Sequence, residues 1–307
     1  MISTTRAKHP LRQIAADWEI YVLLLPALAY FFIFCYIPMY GAQIAFRDYV
    51  PMFGIQESEW VGLEHFVRFF RGPFFSQVVG NTLRISLYSM IAGFPPPILM
   101  AIFLNYQRHK GFAKIVQTVS YAPHFISMVV MVGMIKVFLN SYRGPVSTVC
   151  SSLGIHMNDI LSSPGAFDHV YVWSGIWQST GWSAIIYIGA LSTISPELHE
   201  AAMVDGASIA RRIWSIDLPS ILPTIMLVLI MNCGSILGVG FEKTYLMQNS
   251  LNSTHSEVIS TYVYKQGVQG SQFSFSSAVG LFNSIVNFIM IVIVNTVSKK
   301  MTESGLF

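Results

Sequence analysis

Charge is what this chain has least of. Of its 307 residues, 11% are Asp, Glu, Lys or Arg, 53% are hydrophobic, and the mean hydropathy is +0.54. Soluble domains carry roughly a quarter charged residues, so this composition places the chain in a bilayer. The net charge of +3 is small and scattered over the ends of apolar runs, which excludes a nucleic-acid partner. Cys35, Cys150 and Cys233 are far apart, so neither a disulfide framework nor a thiolate metal site follows. No Gly-x-x-x-x-Gly-Lys-Ser/Thr stretch exists, so this chain has no phosphate cradle of the usual kind. His199-Glu200 begins like a His-Glu-x-x-His zinc helix, but Met203 takes the second histidine's place. Asp159 and Asp168 show no acid/base partner in the sequence, and no acidic residue stands well inside an apolar run. Both catalysis and an ion-driven carrier, which relies on buried carboxylates, lose support on that ground.

What the chain has is apolar runs, six of them. Residues 1–19 form a basic tail with Arg6, Lys8 and Arg12, expected in the cytoplasm. The first run, Ile20 to about Phe46, exceeds the roughly 20 residues that cross a bilayer core, and no small-residue cleavage site follows it. The second, about Gln77 to Leu104, contains Arg84 and Pro95-Pro96-Pro97, where a helix break is expected. The third, about Ile115 to Leu139, holds Pro123, His124 and Lys136. The fourth runs from about His169 to Ile194, the fifth from Ser220 to Phe241, and the sixth from Ala278 to Val297. Gly234 and Gly238, four apart in the fifth, suit close helix packing in lipid. Arg47–Ser76, Asn140–Asp168 and Glu242–Ser277 read as outer loops. The inside segments then hold ten Lys and Arg residues (6, 8, 12, 108, 110, 114, 211, 212, 299 and 300) and the longer outside loops six (47, 68, 71, 143, 243 and 265). By the positive-inside rule both termini face the cytoplasm. The expected organisation is a six-helix transmembrane domain over residues 20–298 and a short cytoplasmic tail over 299–307. Asn252-Ser253-Thr254 matches a glycosylation acceptor, a pattern that often arises by accident.

Between the fourth and fifth runs lies the longest helix-like polar passage, Ser195 to Pro219. Ser195 suits a helix N-cap, Pro196 the first helical position, and Glu197 and Glu200 the positive end of the dipole. Gly206 is the residue type that ends a helix. A second short helix, Ala207 to Trp214, is expected to stop before Pro219. Ala201, Ala202 and Gly206 leave a thin face. It fits either a connector lying on lipid headgroups or a docking surface for another protein.

Glu200-Ala201-Ala202, three residues, Gly206, nine residues, Ile216, one residue and Leu218-Pro219 resembles the signature loop of ABC importer membrane subunits. Tyr121-Ala122-Pro123-His124-Phe125-Ile126-Ser127, Gly181-Trp182, Val258 to Tyr264 and Gly305-Leu306-Phe307 resemble the polysaccharide-type, LplB-like branch of carbohydrate importers. The resemblance implies an all-α type I permease in a bacterial cytoplasmic membrane. It implies that Glu200, Ala201, Ala202, Asp205, Gly206, Leu218 and Pro219 couple to an ATPase on a separate polypeptide, which holds the ATP and magnesium. The implied partners are a dimer of that ATP-binding subunit, a second permease chain, commonly different, and an extracytoplasmic solute-binding protein. The implied cargo is an oligosaccharide or polysaccharide fragment.

Aromatic faces stack on sugar rings and amides hydrogen-bond hydroxyls. Trp177, Gln178, Trp182, Asn232, Ser235, Asn283 and Asn287 are therefore the candidate lining of a sugar path. The same residue types also mark membrane interfaces and join helices. Arg84 and His124 are costly in hydrocarbon, and each is either functional or, for Arg84, snorkelling to the surface. An ion-gradient-driven transporter is the alternative activity, and a membrane scaffold a third.

Overall fold

A computed structural model describes residues 18–156, 158–234 and 236–302. Ser235, the tail up to residue 17 and Gly305-Leu306-Phe307 lie outside them. Among the described residues the regular structure is helical apart from one two-residue ladder, in which Arg47 pairs with Trp60 and Asp48 with Glu59.

The principal helices, numbered in chain order, are α1 (Trp18–Phe31), α2 (Glu64–Arg71), α3 (Phe75–Gly93), α4 (Pro95–Tyr106), α5 (Lys110–Tyr121), α6 (Met128–Phe138) and α7 (Pro145–Ser152). They continue with α8 (Pro164–Leu191), α9 (Pro196–Val204), α10 (Ile209–Arg212), α11 (Leu218–Cys233), α12 (Phe241–Met247), α13 (Ile259–Tyr264) and α14 (Phe273–Thr302). Four helical stretches among the described residues are long and apolar enough to cross a membrane: Trp18–Phe46, Phe75–Tyr106, Ile209–Cys233 and Phe273–Lys299. A fifth is a bent pair, Lys110–Phe125 with Met128–Phe138, broken by 100°. The 28-residue α8 is, at 1.5 Å per residue, about 42 Å long, more than the roughly 30 Å of a bilayer core. It is less apolar than those stretches; one face buries Gly181, Ala184, Tyr187 and Leu191 against neighbouring helices, while Trp173, Trp177 and Ile186 on it are about half exposed.

The expected break at Pro95-Pro96-Pro97 is absent, and the third run breaks instead. Pro95-Pro96-Pro97 occupy the first turn of α4, where missing N–H groups cost least, and Phe94 between α3 and α4 keeps helical angles. The second span therefore runs on through the prolines. Pro123 and His124, by contrast, sit in a 3₁₀ turn at Ala122–Phe125 that divides the third run in two.

Three apolar clusters hold the bundle. Ile98, Ala101 and Ile102 of α4 meet Ala184, Tyr187 and Leu191 of α8 and Ile221 of α11. Phe69 of α2 packs with Val78, Ile236, Leu237, Ile259, Phe275 and Val279. Ile85, Val132, Phe167, Val239, Met247 and Val258 form the third. α1 buries none of its residues, as suits a helix standing against hydrocarbon.

The supposed outer loops are built structure. Asn81 Nδ2 of α3 donates to the carbonyls of Thr254 and Glu257, each at 2.9 Å, and the Ile259 N–H donates to Thr82 Oγ1 at 2.9 Å. Asn252 is wholly buried and donates to Leu161 O at 2.9 Å, so it presents no amide to a glycan. Asp168, unpartnered in the sequence, receives the Arg84 guanidinium, which also donates to His255 O at 3.2 Å. Arg84 thus ties α3 to α8 and to the segment before α13.

Candidate functional site: a capped surface helix and a polar cavity

Ser195 Oγ accepts the Glu197 N–H at 3.3 Å and opens α9, with Pro196 in the first turn. The helix ends in a Schellman arrangement: Ala207 N–H donates to Ala202 O at 2.8 Å and Gly206 N–H to Met203 O at 3.1 Å. Gly206, at φ +74°, occupies the left-handed position that this ending requires. Ser208 Oγ then accepts the Arg211 N–H at 3.3 Å and starts α10. The second helix does not stop before Pro219. It passes through a π turn at Ile213–Asp217 and continues as α11, so the fifth span begins at Ile209 and contains Leu218 and Pro219. The wider turn carries the chain past a proline that has no N–H to give.

Glu200, Ala201, Asp205 and Gly206 are exposed and Ala202 is half-buried. Around them Leu198, Met203, Ile209 and Trp214 are each about half exposed or more, and Val204 is 87% exposed. Exposed apolar side chains beside carboxylates suit either a protein-docking surface or a helix lying on lipid headgroups. Beneath that surface α9 is anchored. Asp217 is fully buried, its Oδ2 accepting the Tyr106 hydroxyl at 2.7 Å, and its Oδ1 lies 3.3 Å from His199 Nε2. The Arg212 guanidinium lies 5.4 Å from the Tyr106 ring centre. One carboxylate therefore links α9, the π turn and the end of α4. It is an acidic residue inside a span, which the sequence reading did not place there.

The candidate path residues fall in different places. Gln178 and Asn232 line a cavity of about 450 Å³, together with Ser86, Ser89, Ser179, Ser183, Gly238 and Lys243. Trp177 lies instead in an apolar recess with Met131, Phe138 and Trp173. Trp182 stacks on His124, ring centres 4.5 Å apart and planes 2° apart. Gln178 Nε2 also donates to Ile126 O at 2.9 Å, and a side chain at Gly181 would meet Ser120 O at 2.2 Å. Gln178, Gly181 and Trp182 thus clamp the break in the third span against α8. Asn287 Oδ1 accepts the Leu237 N–H at 3.0 Å, and Asn283 Oδ1 is buried without a hydrogen bond. At Gly234 a Cβ would meet Ile291 at 2.6 Å, so the small residue lets α11 and α14 pack closely.

Lys243 is the residue that the sequence did not single out. It is 5% exposed, donates from Nζ to Tyr171 O at 2.6 Å and lies 4.5 Å from the Tyr171 ring centre. Burial pushes its pKa from 10.5 down to about 7. Its flanking Phe241, Tyr245 and Leu246 were the available signal that this stretch is packed rather than looped.

Residues 93–303 match the family described as the inner membrane component of binding-protein-dependent transport systems. The chain belongs to this family. It is a multi-pass, non-catalytic permease subunit. Among its relatives, Protein LplB of Bacillus subtilis (strain 168) is 41% identical over 291 residues, 95% of this chain and 92% of that one. The polygalacturonan/rhamnogalacturonan transport system permease protein YteP of the same organism is 41% identical over 302 residues, 98% of this chain and 94% of that one. A crystal structure of a bacterial alginate ABC transporter, in complex with an alginate pentasaccharide-bound periplasmic protein, contains a chain matching at TM-score 0.89. That chain is 37% identical, and the match covers 97% of this permease and 100% of its counterpart.

Proposed function

We propose that this permease is one of two membrane chains of an importer that moves an oligosaccharide or polysaccharide fragment through a bacterial cytoplasmic membrane, driven by ATP hydrolysed on a separate subunit. The single observation that carries the coupling half of this reading is α9: a short capped helix, apolar and acidic at its surface, tied from below to two membrane-crossing helices through Asp217. An ATPase gripping Glu200, Ala201, Ala202 and Asp205 moves α9 as a unit, and α4 and α11 follow. The polar cavity supports passage of a hydroxylated cargo, and the relatives that handle alginate or polygalacturonan support a saccharide. The complete assembly has an ATP-binding dimer, a second and different permease chain and an extracytoplasmic binding protein; ATP and magnesium reside on the ATPase. Six crossings, counting the bent pair and α8, leave α9 and both termini in the cytoplasm.

Replacing Gly206 tests the coupling. Gly206→Val forces a β-branched residue to φ +74°, and it is expected to leave the protein inserted and assembled while uptake falls at least tenfold. Undiminished uptake in that variant contradicts the assignment.

A further inference from the structure

The polar cavity has one feature that a path for neutral sugars does not need. Lys243 brings an amine to its wall in a place removed from solvent, and Gly175 makes room for it: a Cβ there would lie 3.2 Å from Nζ. Ion pairs among the described residues join Arg84 with Asp168, His199 with Asp217 and Lys265 with Glu257, and none reaches Lys243. Its fixed partners are a backbone carbonyl and an aromatic face, which engage a cation without neutralising it. The adjacent acid, Glu242, is exposed. A buried ammonium without a counter-ion is costly, and an anion arriving beside it offsets part of that cost. Among apolar residues such as Phe94, Met128 and Ile176, the wall also carries Gln178, Ser179 and Asn232, whose hydroxyl and amide groups suit a sugar.

Resting on the saccharide reading above, we propose that this cavity is a carboxylate-selective sugar subsite, with the Lys243 ammonium pairing with the acid group of a uronate residue. The amine is half protonated near neutrality before cargo arrives, and the arriving carboxylate completes the charge. Lys243 then contributes selectivity at the membrane step, separate from selection by a binding protein.

The test uses the complete transporter in proteoliposomes with ATP. The cargoes are short galacturonate and alginate-derived oligomers, each offered as the free acid and as the uncharged methyl ester. A charge-assisted hydrogen bond is worth about 1.5–3 kcal/mol, so the wild type is expected to favour acid over ester by about tenfold or more. Lys243→Gln abolishes that preference by slowing the acid alone, and Lys243→Arg retains part of it. Because the binding protein is the same in every assay, the change in the acid-to-ester ratio belongs to this chain. An unchanged ratio in Lys243→Gln, or equal slowing of acid and ester, overturns the subsite and leaves the saccharide reading standing. ATP-dependent uptake of none of these sugars overturns the subsite, and failure to carry any oligosaccharide, charged or neutral, overturns both.

Discussion

Gly181 and Gly189 stand on the same helix, and their surroundings differ completely. A methyl group at Gly181 drives into the Ser120 backbone at 2.2 Å, whereas nothing lies within 4 Å at Gly189. Gly181→Ala is expected to cost about 1–3 kcal/mol through overpacking and to lower the thermal midpoint of the detergent-solubilised protein, with Gly189→Ala unchanged. Equal midpoints in the two variants contradict the close approach of α5 and α8. At Lys243 the relevant variable is pH. Burial lowers its pKa, so the ammonium predominates below about pH 7 and the neutral amine above it. The acid-over-ester preference in uptake is therefore expected to be full in mildly acidic medium and to decline as the pH rises through and beyond 7. A preference that strengthens over that interval has the wrong sign for this lysine.

At the scale of elements, the join between α9 and the membrane helices is the point of interest. Asp217→Ala leaves the Tyr106 hydroxyl without its buried acceptor, at a cost of about 1–3 kcal/mol, and frees α9 from the π turn. The expected phenotype is an assembled complex that hydrolyses ATP at or above the normal rate while moving less cargo per ATP. A proportional fall in both rates is what general destabilisation produces instead. Much of this region was legible in the sequence, because Ser195, Pro196 and Gly206 act within one turn of themselves and need no tertiary context. The continuation through Pro219 was not, since a π turn leaves no residue signature. The Pro95-Pro96-Pro97 run reads as a break by composition, yet three prolines at the start of a helix are where prolines belong. Trp182 and Gln178 carry the same chemistry whether they meet a sugar or brace a broken helix. Only the contact with His124 and Ile126 assigns the bracing, and Gln178 keeps a place on the cavity as well. Lys243 lay in a stretch read as an outer loop despite its flanking Phe241, Tyr245 and Leu246, and its burial depends on α8, far away in sequence.

Across the whole molecule, two polar knots hold the α3–α4 span: Arg84, midway along α3, pairs with Asp168 of α8, and Tyr106, at the end of α4, bonds Asp217, whose other oxygen faces His199 of α9. Along α3 and α4, at 1.5 Å per residue, they are about 33 Å apart, close to the thickness of a bilayer core. The cavity lies between the helices they tie, so a displacement of α9 reaches it through rigid elements rather than loops. Cysteines at Ala201 or Ala202 are accordingly expected to crosslink to the ATPase, to a degree that changes with nucleotide. The central claim is that energy enters this chain through α9 from a partner's ATP hydrolysis. The most direct measurement is uptake into proteoliposomes holding the complete transporter, with ATP supplied and every ion gradient collapsed by ionophores. Uptake that persists with ATP and vanishes when the ATPase subunit is omitted is the predicted result; uptake that survives without the ATPase, or that stops when the gradients are collapsed, contradicts it.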